Sequence, residues 1–267
     1  MSKPRLEDIA REANCSIATV SYVLNNNPHQ KISCETRIKI LQVASLLGYN
    51  KNTFAQALAS GRTNHIGVYV GKHDYALIKA EMLDFVKEIA DKLMDTGFYT
   101  TLLTGSYNSF VSNVDAILCI DLDDEDFNVV AKYNTVPTIA IDTKKHVPWT
   151  FEIASTYEDT ATKCFLSNEN YIFVCSTPNS QHIKNLILKN NPNTIFISNF
   201  TQLVSLQEQL KNERIVVADD ALCTYINALG LKPLKYPLDK QSKLNKIVEC
   251  IKLALSKEPT ESHDFYY

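Results

Sequence analysis

Glycine is scarce, with 7 in 267 residues. They form no GxGxxG, P-loop or GxSxG, so dinucleotide binding, phosphate cradling and a nucleophile elbow all lack the turn residues they need. The six histidines supply no pair at metal-ligand spacing. The seven cysteines (15, 34, 119, 164, 175, 223 and 250) are odd in number and never fall as CxxC. Neither a disulfide framework nor a zinc site follows, and the thiols are expected to be reduced core residues. No apolar run reaches the roughly 20 residues of a membrane-spanning helix, and the opening MSKPRLEDIA lacks the apolar centre of a secretory signal. The expectation is a soluble, cytoplasmic protein that is not an enzyme and carries no catalytic centre, metal or cofactor.

What is present is a chain that is 45% apolar, enough to bury a sizeable core in one large or two smaller domains. Its net charge of −3 is unevenly spread. Residues 1 to 62 hold eight Lys and Arg against Glu7, Asp8, Glu12 and Glu35, a net +4 that leaves −7 on the remainder. Such asymmetry fits a small module that meets a polyanion, joined to an acidic body that does not.

Leu6, Ile9, Ala10 and Ala13 follow helical spacing, and Asn14 suits a tight left-handed turn. Ser16 can cap the next helix, which puts Val20, Val23 and Leu24 on one face and Ala18, Ser21, Tyr22 and Asn25 on the other. Two short helices joined by a three-residue turn predict a helix-turn-helix. A third helix is expected from the cap Ser33 to Leu47, stopped by Gly48, with Ile38, Leu41 and Ala44 as its inner stripe.

The stretches LEDIAREANCSIATVSYVLN, SCETRIKILQVASLLGY and NTFAQALASGRTNHIGV together resemble the headpiece, hinge and first strand of the LacI/GalR bacterial transcription regulators. The resemblance runs from residue 3 to about 70 and continues more weakly beyond. It implies that Ile17, Ala18 and Tyr22 read bases, and that Ser16, Thr19, Ser21 and Asn25 hold phosphates. Ile17 and Ala18 have no hydrogen-bonding side chain, so apolar contact, as with a thymine methyl, is their means of discrimination, whereas Tyr22 brings a donor and an acceptor. Two departures stand out: Arg5 occupies the place of a capping Thr, and NNNPHQKIS is about two residues longer than its counterpart.

Residues 52 to 59, NTFAQALA, span two helical turns, too few for independent stability. By the resemblance, Asn52, Ala55 and Leu58 belong to a hinge helix that pairs with its twin in the minor groove of double-stranded operator DNA. There Ala55 lets the helices approach and Leu58 wedges between base pairs. An ordinary linker helix is the alternative reading. A Lys, residue 51, replaces the family's Pro before the hinge.

From Ile66 onward apolar strands (HIGVYV, FYTTLL, VDAILCI, PTIAI, YIFVC, NTIFIS, RIVVA) alternate with helical stretches, which predicts α/β architecture with parallel sheets. Together with the resemblance, which implies the family's two-lobed body, the expected fold is an all-α helix-turn-helix headpiece plus a two-lobed periplasmic-binding-protein-like domain. The divisions read from sequence are 1–50 for the headpiece, 51–63 for the hinge and linker, 64–142 with 238–260 for the first lobe, and 143–237 for the second. In the interlobe cleft, Asp142, Asn199 and Asp219 match the family's effector contacts, so a small molecule such as a sugar is an expected partner alongside a homodimeric copy. For both carboxylates, capping a turn at a strand end is the competing reading. The family's cleft Arg falls at Leu186, and the chain is trimmed beside the cleft, which favours an alternative in which DNA binding needs no small molecule. DLDDED (121–126) reads as helix-dipole chemistry rather than a cation site.

Overall fold

The computed structural model describes residues 4–25, 30–49, 61–145, 147–164, 166, 170–256, 260 and 262–267. They fall in two compact units, Met1–Gly61 and Arg62–Tyr267. No helix among the described residues is long and apolar enough to cross a membrane.

The first unit contains α1 (Leu6–Ala13), α2 (Ile17–Leu24) and α3 (Cys34–Leu46). Helix α1 stops because Asn14 turns left-handed, with φ 51° and ψ 51°, and Ser16 restarts the chain by accepting the Thr19 N–H at 3.0 Å. Ser33 does the same for α3 through the Thr36 N–H at 3.1 Å. Ile9, Ala13, Val20, Val23, Ile40 and Ala44 make the buried core. The expected inner stripe of α3 is corrected here, since Ile38 and Leu41 are about half exposed. At 100° per residue Ile38 lies about 160° around the helix from Ile40. Helix α3 is apolar on both sides, so spacing alone did not select the buried one.

The second unit holds two sheets, and every strand pair in both is parallel. The first runs in the order β10-β5-β4-β3-β1-β2, from β1 (His65–Val70), β2 (Tyr99–Leu102), β3 (Ala116–Ile120), β4 (Thr138–Ile141), β5 (Phe151–Ala154) and β10 (Asp264–Tyr266). Register places Val68 between Leu102 and Leu118. One face packs Ile66, Leu118, Ile139 and Ile153 against α4 (Ala76–Met94) and α11 (Lys240–Ser256), and the other packs Tyr69, Ile117 and Cys119 against α5 (Asp124–Tyr133). All five β3 residues are buried, as a sheet covered on both sides requires.

The second sheet, β7-β6-β8-β9, uses β6 (Ile172–Ser176), β7 (Thr194–Ile197), β8 (Ile215–Val217) and β9 (Leu234–Lys235). Its helices are α7 (Gln181–Asn190), α8 (Phe200–Ser205), α9 (Gln207–Leu210) and α10 (Asp220–Ala228), while α6 (Thr160–Lys163) follows the crossing from the first lobe. Helix α7 leads directly into β7. The lobe boundary expected between residues 142 and 143 is displaced, because β5 pairs with β4 and the chain leaves the first sheet only after Ala154. The expected burial of the thiols holds for Cys119, Cys175 and Cys250, whereas Cys34 is exposed and Cys15, Cys164 and Cys223 are half-buried; all are free.

Candidate nucleic-acid interface and interlobe cleft

Helix α2 divides its residues between two tasks. Val20 and Val23 are buried, and Leu24 packs at the core margin. Ser16, Ile17, Ala18, Tyr22 and Asn25 are exposed, while Thr19 and Ser21 are half-buried. Ile17 is 48% exposed, so an aliphatic side chain stands in water beside a compact core. The polar members are pre-positioned: Ser16 Oγ and Thr19 Oγ1 lie 2.8 Å apart, and Asn25 Nδ2 donates to Ser21 Oγ at 3.2 Å. Arg5 does not cap with its side chain. Its backbone N–H donates to Asp8 Oδ2 at 2.9 Å, and Arg11 Nη2 donates to Asp8 Oδ1 at 2.8 Å. The Arg5 backbone donor foremost, then Arg11, holds the Asp8 carboxyl below its ordinary range. Of the sequence-predicted DNA contacts, Asn52, Ala55 and Leu58 lie outside the described residues.

In the second unit, the carboxyl ends of the strands carry the acids. Asp121 follows β3, Asp142 follows β4, and Asp219 comes two residues after β8, with Asp121 and Asp142 both at φ 49°. They perform different tasks. Asp121 Oδ2 meets His73 Nε2 at 2.7 Å, and its Oδ1 accepts the Asn179 N–H at 2.9 Å. The Asn179 amide reaches the Asp121 carbonyl at 2.9 Å, and Ser180 Oγ donates to Asp124 Oδ1 at 2.5 Å. Asp123 caps α5 by accepting the Glu125 N–H. The acidic run is thus divided between one helix cap and contacts that join the two lobes. Leu77 of α4 adds an apolar contact to the second lobe's core.

Asp142 and Asp219 line one cavity of about 370 Å³, together with Glu81, Phe85, Ser155 and Tyr157. Asn199 does not line it. Its Oδ1 accepts the Gln202 N–H at 2.8 Å, which makes it the cap of α8. Leu186 packs against the second lobe's core. Lys184 and Lys189 are likewise not among the cavity's lining residues, whereas Lys240 and Lys243 are. Lys243, unmarked in the sequence reading, donates to Asp142 Oδ2 at 2.6 Å. Asp219 Oδ2 accepts the Ser176 N–H at 2.7 Å, and Glu81 accepts the N–H of Ala221 in the first turn of α10.

Burial first, then the neighbouring Asp219 carboxylate, pushes the Glu81 carboxyl above its ordinary range. Burial also raises Asp219 and Asp121, against the Ser176 N–H in one case and His73 in the other. Tyr157 is raised well above 10 by burial and remains a neutral phenol. Acids that hold protons more tightly when folded make stability fall as pH climbs from the ordinary carboxylate value to the raised one. Glu81→Gln keeps an acceptor for Ala221 and removes one such acid. Its unfolding free energy is expected to decline less than that of the wild type as pH rises above the ordinary carboxylate range. Parallel pH profiles from urea titrations of the two proteins would assign the titration to other groups.

Residues 5–52 match the sequence model of the bacterial regulatory proteins of the lacI family. Catabolite control protein A of Priestia megaterium is 49% identical over 63 residues, and the HTH-type transcriptional regulator GalS of Salmonella typhimurium is 48% identical over 65. Each match takes in 24% of this chain and 18% of the relative's length. Among solved structures, the lac repressor dimer bound to operator and the anti-inducer ONPF aligns at TM-score 0.55 and 18% identity, over 99% of this chain and 97% of that one. The transcriptional regulator CelR in its cellobiose complex aligns at TM-score 0.50 and 16% identity, over 99% and 97%. At these identities the structural likeness is one of fold.

Proposed function

We propose that this chain, whose residues 5–52 match the lacI family of bacterial regulatory proteins, is a sequence-specific DNA-binding transcriptional regulator, acting as a repressor. The observation that carries this reading is the exposed face of α2, where Ile17, Ala18 and Tyr22 stand clear of a core closed by Val20 and Val23. An apolar residue left about half in water at the start of a recognition helix can meet a base edge in the major groove. Ser16, Thr19, Ser21 and Asn25 supply the phosphate contacts that set register.

A homodimer is part of the proposal. Twofold symmetry matches two headpieces to two identical half-sites, so the operator is palindromic. The second copy would cover the edge of the first sheet, where Leu83, Tyr99 and Leu102 are 58–67% exposed beside the edge strand β2. Asn52, Ala55 and Leu58 are proposed as the minor-groove hinge.

The test is a titration with palindromic and scrambled DNA at fixed salt. Phosphate contacts alone give no sequence preference, so a regulator must prefer one palindrome by about 10³ or more. Equal affinity for all DNA would reduce the headpiece to a non-specific module.

Regulation has two readings. In the first, a sugar-like effector binds between the lobes at Asp142 and Asp219, as a cleft lined by both carboxylates allows. The second, DNA binding without a small-molecule effector, is favoured by particular residues. Leu186 is half-buried against the second lobe's core, Asn199 is spent on a helix cap, and Asp142 is already held by Lys243.

A further inference from the structure

Lys243 stands in the first turn of α11, and its side chain is only 4% exposed. An ammonium removed from water to that degree is costly unless its donors are all met. They are met on three sides. Nζ lies 2.6 Å from Asp142 Oδ2, 2.7 Å from Ser155 Oγ, and 5.1 Å from the centroid of the Phe85 ring. The second Asp142 oxygen accepts the Ser155 N–H at 2.7 Å, which fixes the carboxylate that faces the lysine. Carboxylate, hydroxyl and aromatic face, drawn from a strand end, a crossing segment and α4, make a closed site for one primary ammonium. Of the other lysines that line the cavity, Lys87 is exposed and Lys240, 41% exposed, is paired with Asp220 and with Glu88.

We propose that Lys243 is a resident, tethered ligand of this cleft: the chain fills the Asp142 subsite with its own primary ammonium, and a small molecule can pair with Asp142 Oδ2 there only by displacing it. Its regulatory consequence rests on the DNA-binding reading above, whereas its geometry does not. A wild-type chain is then permanently occupied at this subsite, and neutral sugars leave its operator affinity unchanged. Shortening residue 243 empties an amine-shaped site, and a small alkylammonium ion can take the place of the lost group.

The experiment uses the full chain, Lys243→Ala, with ethylammonium as the probe. Sodium at equal concentration controls for ionic strength, and ethanol serves as the neutral counterpart. Loss of one partner of a buried pair should lower the thermal midpoint by about 10 °C. Ethylammonium at ten times its dissociation constant should restore about 3–5 °C to Lys243→Ala and nothing to the wild type. Restoration no greater than that from sodium overturns the proposal. So does a sugar that raises the wild-type midpoint and loses its effect in Asp142→Ala.

If Lys243→Ala does not fold, the neutral pair Asp142→Asn with Lys243→Met decides. A near-wild-type midpoint without response to ethylammonium supports a local cation site, since no charge is left alone. An unfolded double variant overturns it. Operator titration of Lys243→Ala, with and without ethylammonium, should show at least a threefold change in affinity. A chain that binds no operator in any state defeats the regulator reading and leaves the thermal result standing.

Discussion

Gly71→Ala is expected to lower the thermal midpoint of Arg62–Tyr267 by about 10 °C, which corresponds to about 3 kcal/mol in a unit of this size. A Cβ at residue 71 would lie 1.8 Å from the Asp121 carbonyl oxygen, 2.7 Å from its carbon, and 2.5 Å from Asn179 Nδ2. The amide can rotate away, but the Asp121 backbone cannot. Its N–H donates to Ile141 O at 2.8 Å, and Gly71 itself donates to Ile120 O at 2.8 Å, so both strands are fixed by ladder bonds. Relief must separate the ends of β1 and β3, and Asn179 then loses the contact that joins the lobes. Gly97→Ala is the control. A Cβ there meets nothing within 4 Å, and the cost is that of φ +86°, about 1 kcal/mol. Differential scanning calorimetry separates the two; a Gly71→Ala shift no larger than that of Gly97→Ala would show that the lobe junction yields to the added carbon at little cost.

Tyr22→Ala is expected to erase discrimination at one base pair of each operator half-site, a loss of roughly 1–3 kcal/mol there. Tyr22 is 36% exposed and lies outside the headpiece core of Ile9, Val20, Val23 and Ile40, so the fold should survive its loss. Affinity for scrambled DNA, and its dependence on salt, should stay as in the wild type, because both reflect phosphate neutralisation by Lys and Arg. The measurement is a set of titrations against operators substituted at each half-site position. An unchanged preference at every position would remove Tyr22 from the readers. A parallel fall on operator and scrambled DNA would make it a general contact.

The headpiece was legible because its signals are local. Ser16 and Ser33 cap within three residues, and Asn14 turns where a short polar side chain tolerates it. Where two faces were equally apolar, as around Ile38 and Leu41, nothing local distinguished the buried one. Strand β5 was missed because Glu152 interrupts its apolar run. That carboxylate is 3% exposed and satisfied by the Lys145 N–H at 2.9 Å and Tyr266 Oη at 3.2 Å, the latter 114 residues away. The three residues of β10 are too few to show a period. The cleft was half legible. Asp142 and Asp219 do share a cavity, but Asn199 sits one residue before α8 and answers to that helix as its cap. Lys243 could not be read at all, because its carboxylate partner is 101 residues earlier in the chain.

The last strand sets the order in which the molecule can be completed. Strand β10 pairs with β5, and the Tyr267 carbonyl accepts the N–H groups of Thr156 and Tyr157 at 2.6 and 3.0 Å. The second sheet is built from one continuous stretch, Ile172 to Lys235, whereas the first needs residues from both sides of that stretch. On a ribosome the second lobe can therefore close while the first waits for α11 and β10, with the edge of β5 bare in the interval. Contacts so far apart in sequence slow folding and leave an unpaired edge open to other chains. Refolding is expected to show a fast phase in the second lobe and a slower one as β10 docks. Chaperone demand during synthesis should fall on the first lobe.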